Sequence, residues 1–232
     1  MNLEPYEPTD RRPINSRNTG WAKRISSALV NANISPNSIS VFGMLAAIGA
    51  GVLFGSTMVA DGILQRSCWF AGGLCCQIRL LCNLFDGMVA VEQQTASPVG
   101  ELYNEVPDRV SDAAIFIGIG FAVGGNALGG VVAALLAVFT AYVRATAKSV
   151  GAPNDFCGPM AKPQRMALVT LLAVYMTFTP VAWHQVPESQ FLMAPTIVLG
   201  ILIVGCALTS IRRLARASQS LRNSMADHGE AQ

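Results

Sequence analysis

Five polar residues stand in stretches that are otherwise apolar: Asn83, Asp86, Asn104, Asp108 and Asp112. They fall into two groups with helical spacing. Arg79, Asn83, Asp86, Gly87 and Ala90 are separated by steps of three and four, which puts them on one face of a helix. Gly100, Asn104, Asp108 and Asp112 recur every four residues and share one face of the next. The connection Glu92–Pro98 is short, so the two helices are antiparallel neighbours whose polar faces meet. Carboxylates inside a membrane are costly unless they bind a cation, pair with one, or line a wet cavity. Asp and Asn oxygens from two helices make a hard-oxygen site suited to magnesium or manganese. Gly87, Ala90 and Gly100 either let the helices pack closely or leave room for a bulky ligand. The sharper reading is a wedge-shaped cavity that holds a divalent ion and a nucleotide.

The elements that must position these residues are membrane helices. Of the 232 residues, 52% are apolar and only 13% are charged, where a soluble domain carries about 25% charged residues. Six stretches approach the roughly 20 residues that cross a bilayer core: Ser38–Ala60, Cys68–Val91, Val99–Val123, Leu128–Thr146, Met166–Trp183 and Leu192–Ile211. The expected fold is an all-α integral membrane protein with six transmembrane helices. Three segments follow from this: a polar, basic N-terminal segment over 1–35, one six-helix domain over 36–217, and a disordered polar tail over 218–232. Nothing in the first segment reads as a signal peptide. Thr19–Val30 has apolar and basic residues at helical spacing and reads as either a short interfacial helix or a plain linker.

Basic residues set the expected orientation. Arg11, Arg12, Arg17, Lys23 and Arg24 precede the first span, and Arg212, Arg213, Arg216 and Arg222 follow the last. Arg144, Lys148, Lys162 and Arg165 flank the loop between spans four and five. The positive-inside rule then puts both termini in the cytoplasm. Six cysteines without metal-ligand spacing read as small apolar residues. A net charge of +2 gives no argument for a nucleic-acid partner.

The motif residues resemble the CDP-alcohol phosphatidyltransferases, whose second and third spans carry D-x2-D-G-x2-A-R-x8-G-x3-D-x3-D. Here the same positions read Asn83, Asp86, Gly87, Ala90, Val91, Gly100, Asn104 and Asp108, with every spacing kept. The resemblance implies transfer of a phosphatidyl group from CDP-diacylglycerol to an alcohol acceptor, with release of CMP. It implies Asn83, Asp86, Asn104 and Asp108 as the shell of a magnesium ion, with manganese an alternative. Asp108 would be the catalytic base, beside Asp86; Asp112, outside the motif, joins them from the shared helix face as an orienter or third ligand. Gly87, Ala90 and Gly100 would face the nucleotide together with Asn83 and Asp86, and Arg79, outside the motif, would take the place of its missing arginine there. Arg144, Lys148, Lys162 and Arg165 would hold an acceptor phosphate, although membrane topology alone also places cations there. A homodimer in a bacterial inner membrane, with the active site facing the cytoplasm, completes the expectation.

The chain departs from the pattern at three places. Two acidic positions are Asn83 and Asn104, and the motif arginine is Val91. Pro107 stands just before Asp108, where it removes a helix hydrogen bond. Asp112, one turn further on, and Arg79, one turn before Asn83, are the expected compensations in a single-ion site. The rival readings are a transferase that uses a soluble CDP-alcohol and a lipid acceptor, a non-catalytic nucleotide- or lipid-binding homologue, and a transporter.

Overall fold

The computed structural model describes residues 19–94, 98–184 and 193–230. Seven α-helices are described, α1 Gly20–Asn31, α2 Pro36–Ser56, α3 Gly62–Glu92, α4 Pro98–Gly120, α5 Ala127–Ser149, α6 Lys162–Phe178 and α7 Ala194–Glu230, and no strand occurs among the described residues beyond an isolated bridge at Met193. Local chemistry fixes several ends. Ser35 caps α2 by accepting from the Ser38 amide at 3.1 Å, with Pro36 at the first helical position. Asn126 caps α5 through the Gly129 amide at 2.6 Å. Asn33, at φ 53°, ends α1 in the left-handed conformation that asparagine tolerates.

Six helices close a ring. α2 packs on α3 and α4, α4 on α5, α5 on α7, α7 on α6, and α6 back on α3. α1 lies outside the ring, docked on α3: Ala22 is buried with Phe85 and Val89, and Ser26 and Ser27 donate to Glu92 at 2.8 and 2.7 Å. The α2–α4 seam is the tightest: a Cβ on Gly51 would stand 2.3 Å from the Ala114 carbonyl, and one on Gly118 would stand 2.3 Å from the Gly51 carbonyl. Backbone meets backbone there, the arrangement that small residues allow between membrane helices.

The ring is inverted relative to a soluble bundle. Leu135, Val52 and Phe42 are more than half exposed on its outside, whereas Arg79, Asp112 and Arg165 are buried. Four helices are long and apolar enough to cross a membrane: α2, α3, α5 and Ala194–Asn223 of α7. The expected third and fifth spans do not meet that standard. α4 carries Glu101, Glu105, Asp108, Arg109 and Asp112, and α6 has only 17 residues. Most of the polar tail expected over 218–232 is helical instead. α7 runs to Glu230 because no proline, and no glycine before Gly229, interrupts it after its apolar part. All six cysteines are free.

Candidate functional site

Three helices bring charged side chains to one point. α3 supplies Arg79, Asn83 and Asp86, and the first half of α4 supplies Asn104, Asp108 and Asp112. The first turn of α6 supplies Lys162 and Arg165. A cleft between the helices is lined by Ser40, Gly43, Arg79, Asn83, Asp86, Asn104, Pro107, Asp108 and Ser111, among others. Helical steps of three and four keep these polar residues on the inward faces, which is why lipid-facing positions on the same helices remain apolar.

The charges form a continuous network. The Arg79 guanidinium donates through Nη2 to Asp108 Oδ1 at 3.2 Å and to Asp112 Oδ1 at 3.0 Å. Arg165 Nη2 donates to the second oxygen of Asp112 at 2.6 Å, and its Nη1 donates to the Met160 carbonyl. Lys162 Nζ donates to Asp108 Oδ2 and, at 2.6 Å, to Asn83 Oδ1. The Asn83 amide in turn donates to Asn104 Oδ1 at 3.1 Å and to Asp108 Oδ1 at 3.3 Å. Asp86 stands apart, accepting from Ser40 Oγ at 2.7 Å and from the Gly87 amide. Burying isolated charges here would cost several kcal/mol each, and the pairing offsets that cost.

The motif residues expected from spacing thus divide by position. Asn83, Asp86, Asn104 and Asp108 line one cleft together with Arg79. Asp112 lies one turn further along α4, buried between Arg79 and Arg165. Gly87, Ala90 and Gly100 are half-buried and are not among the residues lining the cleft. The four basic residues of the α5–α6 region separate into two pairs. Lys162 and Arg165 face into the network, whereas Arg144 pairs with Glu105 at 2.6 Å, 5.1 Å from the Phe156 ring, and Lys148 is exposed. Ser40 is the site residue that spacing did not reveal. It comes from α2, where a lone serine near Ser38 carries no distinguishing pattern.

The donor set suits a hard cation only in part. Asp86 and Asp108 offer carboxylates to the same cleft. The amide oxygens of Asn83 and Asn104 already accept from Lys162 and Asn83, however, and Lys162 also holds Asp108 Oδ2. Among the described residues no three acidic, histidine or cysteine side chains converge as a metal-holding group. The oxygens that remain fit one ion and do not fit two.

A ring of membrane helices around a buried charge network, with two carboxylates from adjacent helices in one cleft, is the class of protein that fold and site define. No protein-family model matches the sequence. The chain is similar to the phosphatidylinositol phosphate synthase of Mycobacteroides abscessus, 28% identical over 167 residues that cover 68% of this chain and 70% of that one. Its fold matches crystal structures of the Mycobacterium tuberculosis phosphatidylinositol phosphate synthase PgsA1. The complex with manganese and citrate gives a TM-score of 0.68 at 20% identity, covering 85% of this chain and 88% of the other. The form with CDP-DAG bound gives 0.66 at 20% identity, covering 84% and 92%.

Proposed function

We propose that this chain is a CDP-alcohol phosphatidyltransferase of phospholipid synthesis. It transfers a phosphatidyl group from CDP-diacylglycerol to an alcohol. The observation that carries this reading is the placement of Asp86 and Asp108, from α3 and α4, on one cleft beside the cations Arg79 and Lys162. Phosphoryl transfer needs an aligned nucleophile and positive charge against the pyrophosphate, and little else from the protein. The acceptor hydroxyl oxygen bonds to the phosphorus that carries diacylglycerol. The bond from that phosphorus to the oxygen of CMP breaks, and CMP departs with the bonding pair. The hydroxyl proton passes to the Asp108 carboxylate, which Arg79, Asn83 and Lys162 hold in position. Arg79 meets the donor's phosphates, and Arg144 and Lys148, at the end of α5, are placed to meet a charged acceptor.

A magnesium ion held by Asp86 with Asp108, assisted by Asn83 and Asn104, would supply further charge neutralisation when bound. In this reading α4 and α6 cross the membrane with the other four ring helices, shielded by them. Both termini and the cleft face the cytoplasm of a bacterial inner membrane, α1 lies along its surface, and two chains associate. Gly87, Ala90 and Gly100 leave space for the nucleotide beside Asn83 and Asp86.

The test is CMP release from CDP-diacylglycerol by purified protein, with magnesium and a panel of alcohol acceptors. Release should depend on one acceptor and disappear in Asp108→Ala. Release from no pairing, with CDP still bound, would replace this reading with that of a nucleotide-binding homologue.

A further inference from the structure

The position of Lys162 carries more than an acceptor contact. It is the first residue of α6, followed by Pro163, so its backbone is fixed where the helix starts. Its ammonium bridges oxygens of two other helices, Asn83 Oδ1 on α3 and Asp108 Oδ2 on α4. A cation held between facing oxygens of those helices is what a metal ion at this place would be. The charges around it agree. Asp108 and Asp112 are already met by Arg79, Lys162 and Arg165, with Arg109 at 4.0 Å from Asp108, while Asp86 accepts from Ser40 and the Gly87 amide. Asparagine at 83 and 104 adds oxygen without charge, and two fewer negative charges is the amount that one divalent ion would balance.

Arg79 points the same way. It is 1% exposed, it lines the cleft, and its Nε and Nη1 have no hydrogen-bond partner among the described residues. Buried guanidinium N–H groups without acceptors are costly, and phosphate oxygens are the acceptors that fit them best.

We propose that Lys162 is a tethered cation in the place of one divalent ion, with Arg79 beside it, so that the site binds one ion at most. This inference rests on the transferase reading for its ligand, a nucleoside diphosphate. The ammonium and guanidinium meet the pyrophosphate directly, and a phosphate that binds is neutralised in part before any metal arrives. Part of the nucleotide affinity therefore survives without metal.

Two measurements on the purified protein in lipid nanodiscs test this. Manganese titration read by electron paramagnetic resonance should count one bound ion per chain, or none. The N83D/N104D/K162M variant, which restores two carboxylates and removes the ammonium, should bind one ion more. Isothermal titration with CDP in EDTA should show binding, weakened at least tenfold in K162M. Two manganese ions in the wild type, or a folded triple variant with an unchanged count, would overturn the proposal. So would loss of all CDP binding in EDTA, which needs no variant and holds even if the triple variant fails to fold. Neither readout uses turnover, so a protein that releases no CMP sinks the transferase reading and leaves the ion count to be judged by itself.

Discussion

The two ends of the helical ring treat their polar groups in opposite ways. At the end away from the cleft, Arg66 donates to the carbonyls of Thr177 and Thr179 at 3.0 and 3.1 Å, and Gln65 donates to those of Thr57 and Ala60. Thr57 Oγ1 receives the Val123 amide, and Thr196 donates to the Gly124 carbonyl. His184 meets Thr179 there, its imidazole held below the ordinary value first by burial and then by Arg66. Apart from the His184–Thr179 contact, each of these bonds satisfies a backbone group where the chain leaves or enters a helix, the task that any helix end sets. At the cleft end most of the bonds run between side chains projecting from within helices or from the first turn of α6, and the buried ion pairs among them join Asp108 and Asp112 to Arg79, Lys162 and Arg165. No helix end requires Arg79, Asp108 or Asp112. Polar groups that repair a backbone report architecture, and polar groups that face each other at a distance from any such need report chemistry.

That contrast can be broken most sharply at Asp108. Asp108→Asn keeps the side-chain shape and removes the proton acceptor, so CMP release per folded molecule should fall by about 10²–10⁴-fold, beyond whatever stability is lost with its pairing to Arg79 and Lys162. A variant that keeps its rate would make Asp108 structural. Asp112→Leu comes next. It leaves Arg165 buried without its carboxylate and takes one of two from Arg79, and chemical denaturation in detergent should show a loss of about 3–5 kcal/mol. At the other end, Arg66→Met removes two bonds to carbonyls and should cost about 1–3 kcal/mol, with CMP release per folded molecule unchanged. A drop in specific activity there would mean that the two ends are coupled. The smallest change belongs to Arg144→Ala, whose pairing with the exposed Glu105 is worth under about 1 kcal/mol. A rise in the acceptor's KM with that small stability change would assign Arg144 to acceptor binding.

Much of this was legible in the residues. Steps of three and four placed Arg79, Asn83 and Asp86 together, and steps of four did the same for Asn104, Asp108 and Asp112, because a helix converts spacing directly into a shared face. The short 92–98 connection paired the two faces. The partners from α6 were not legible in that way. Lys162 and Arg165 lie 54 and 53 positions from their carboxylates, and their spacing to Arg144 and Lys148 looks like any loop rich in positive charge. What separates them is the start of α6 at Lys162, which turns two of the four into the ring. Ser40 left no trace for the same reason, since its contact with Asp86 depends on how α2 packs. The helical course of residues 218–230 went unread because polarity was taken for disorder, although that stretch contains no helix breaker before Gly229.

The seam at Gly51 and Gly118 has a mechanical consequence. With backbone against backbone and no side chain between, α2 and α4 cannot slide or separate there without losing contact altogether. The seam acts as a fulcrum. Ser40 lies eleven residues from it along α2, about 16 Å at the rise of an α-helix. A tilt of about 5° around the seam moves Ser40 by roughly 1.4 Å at that rise, enough to break its hydrogen bond to Asp86. The far end of α2, Ser56, is five residues beyond the seam, so the same tilt moves it less than half as far as it moves Ser40.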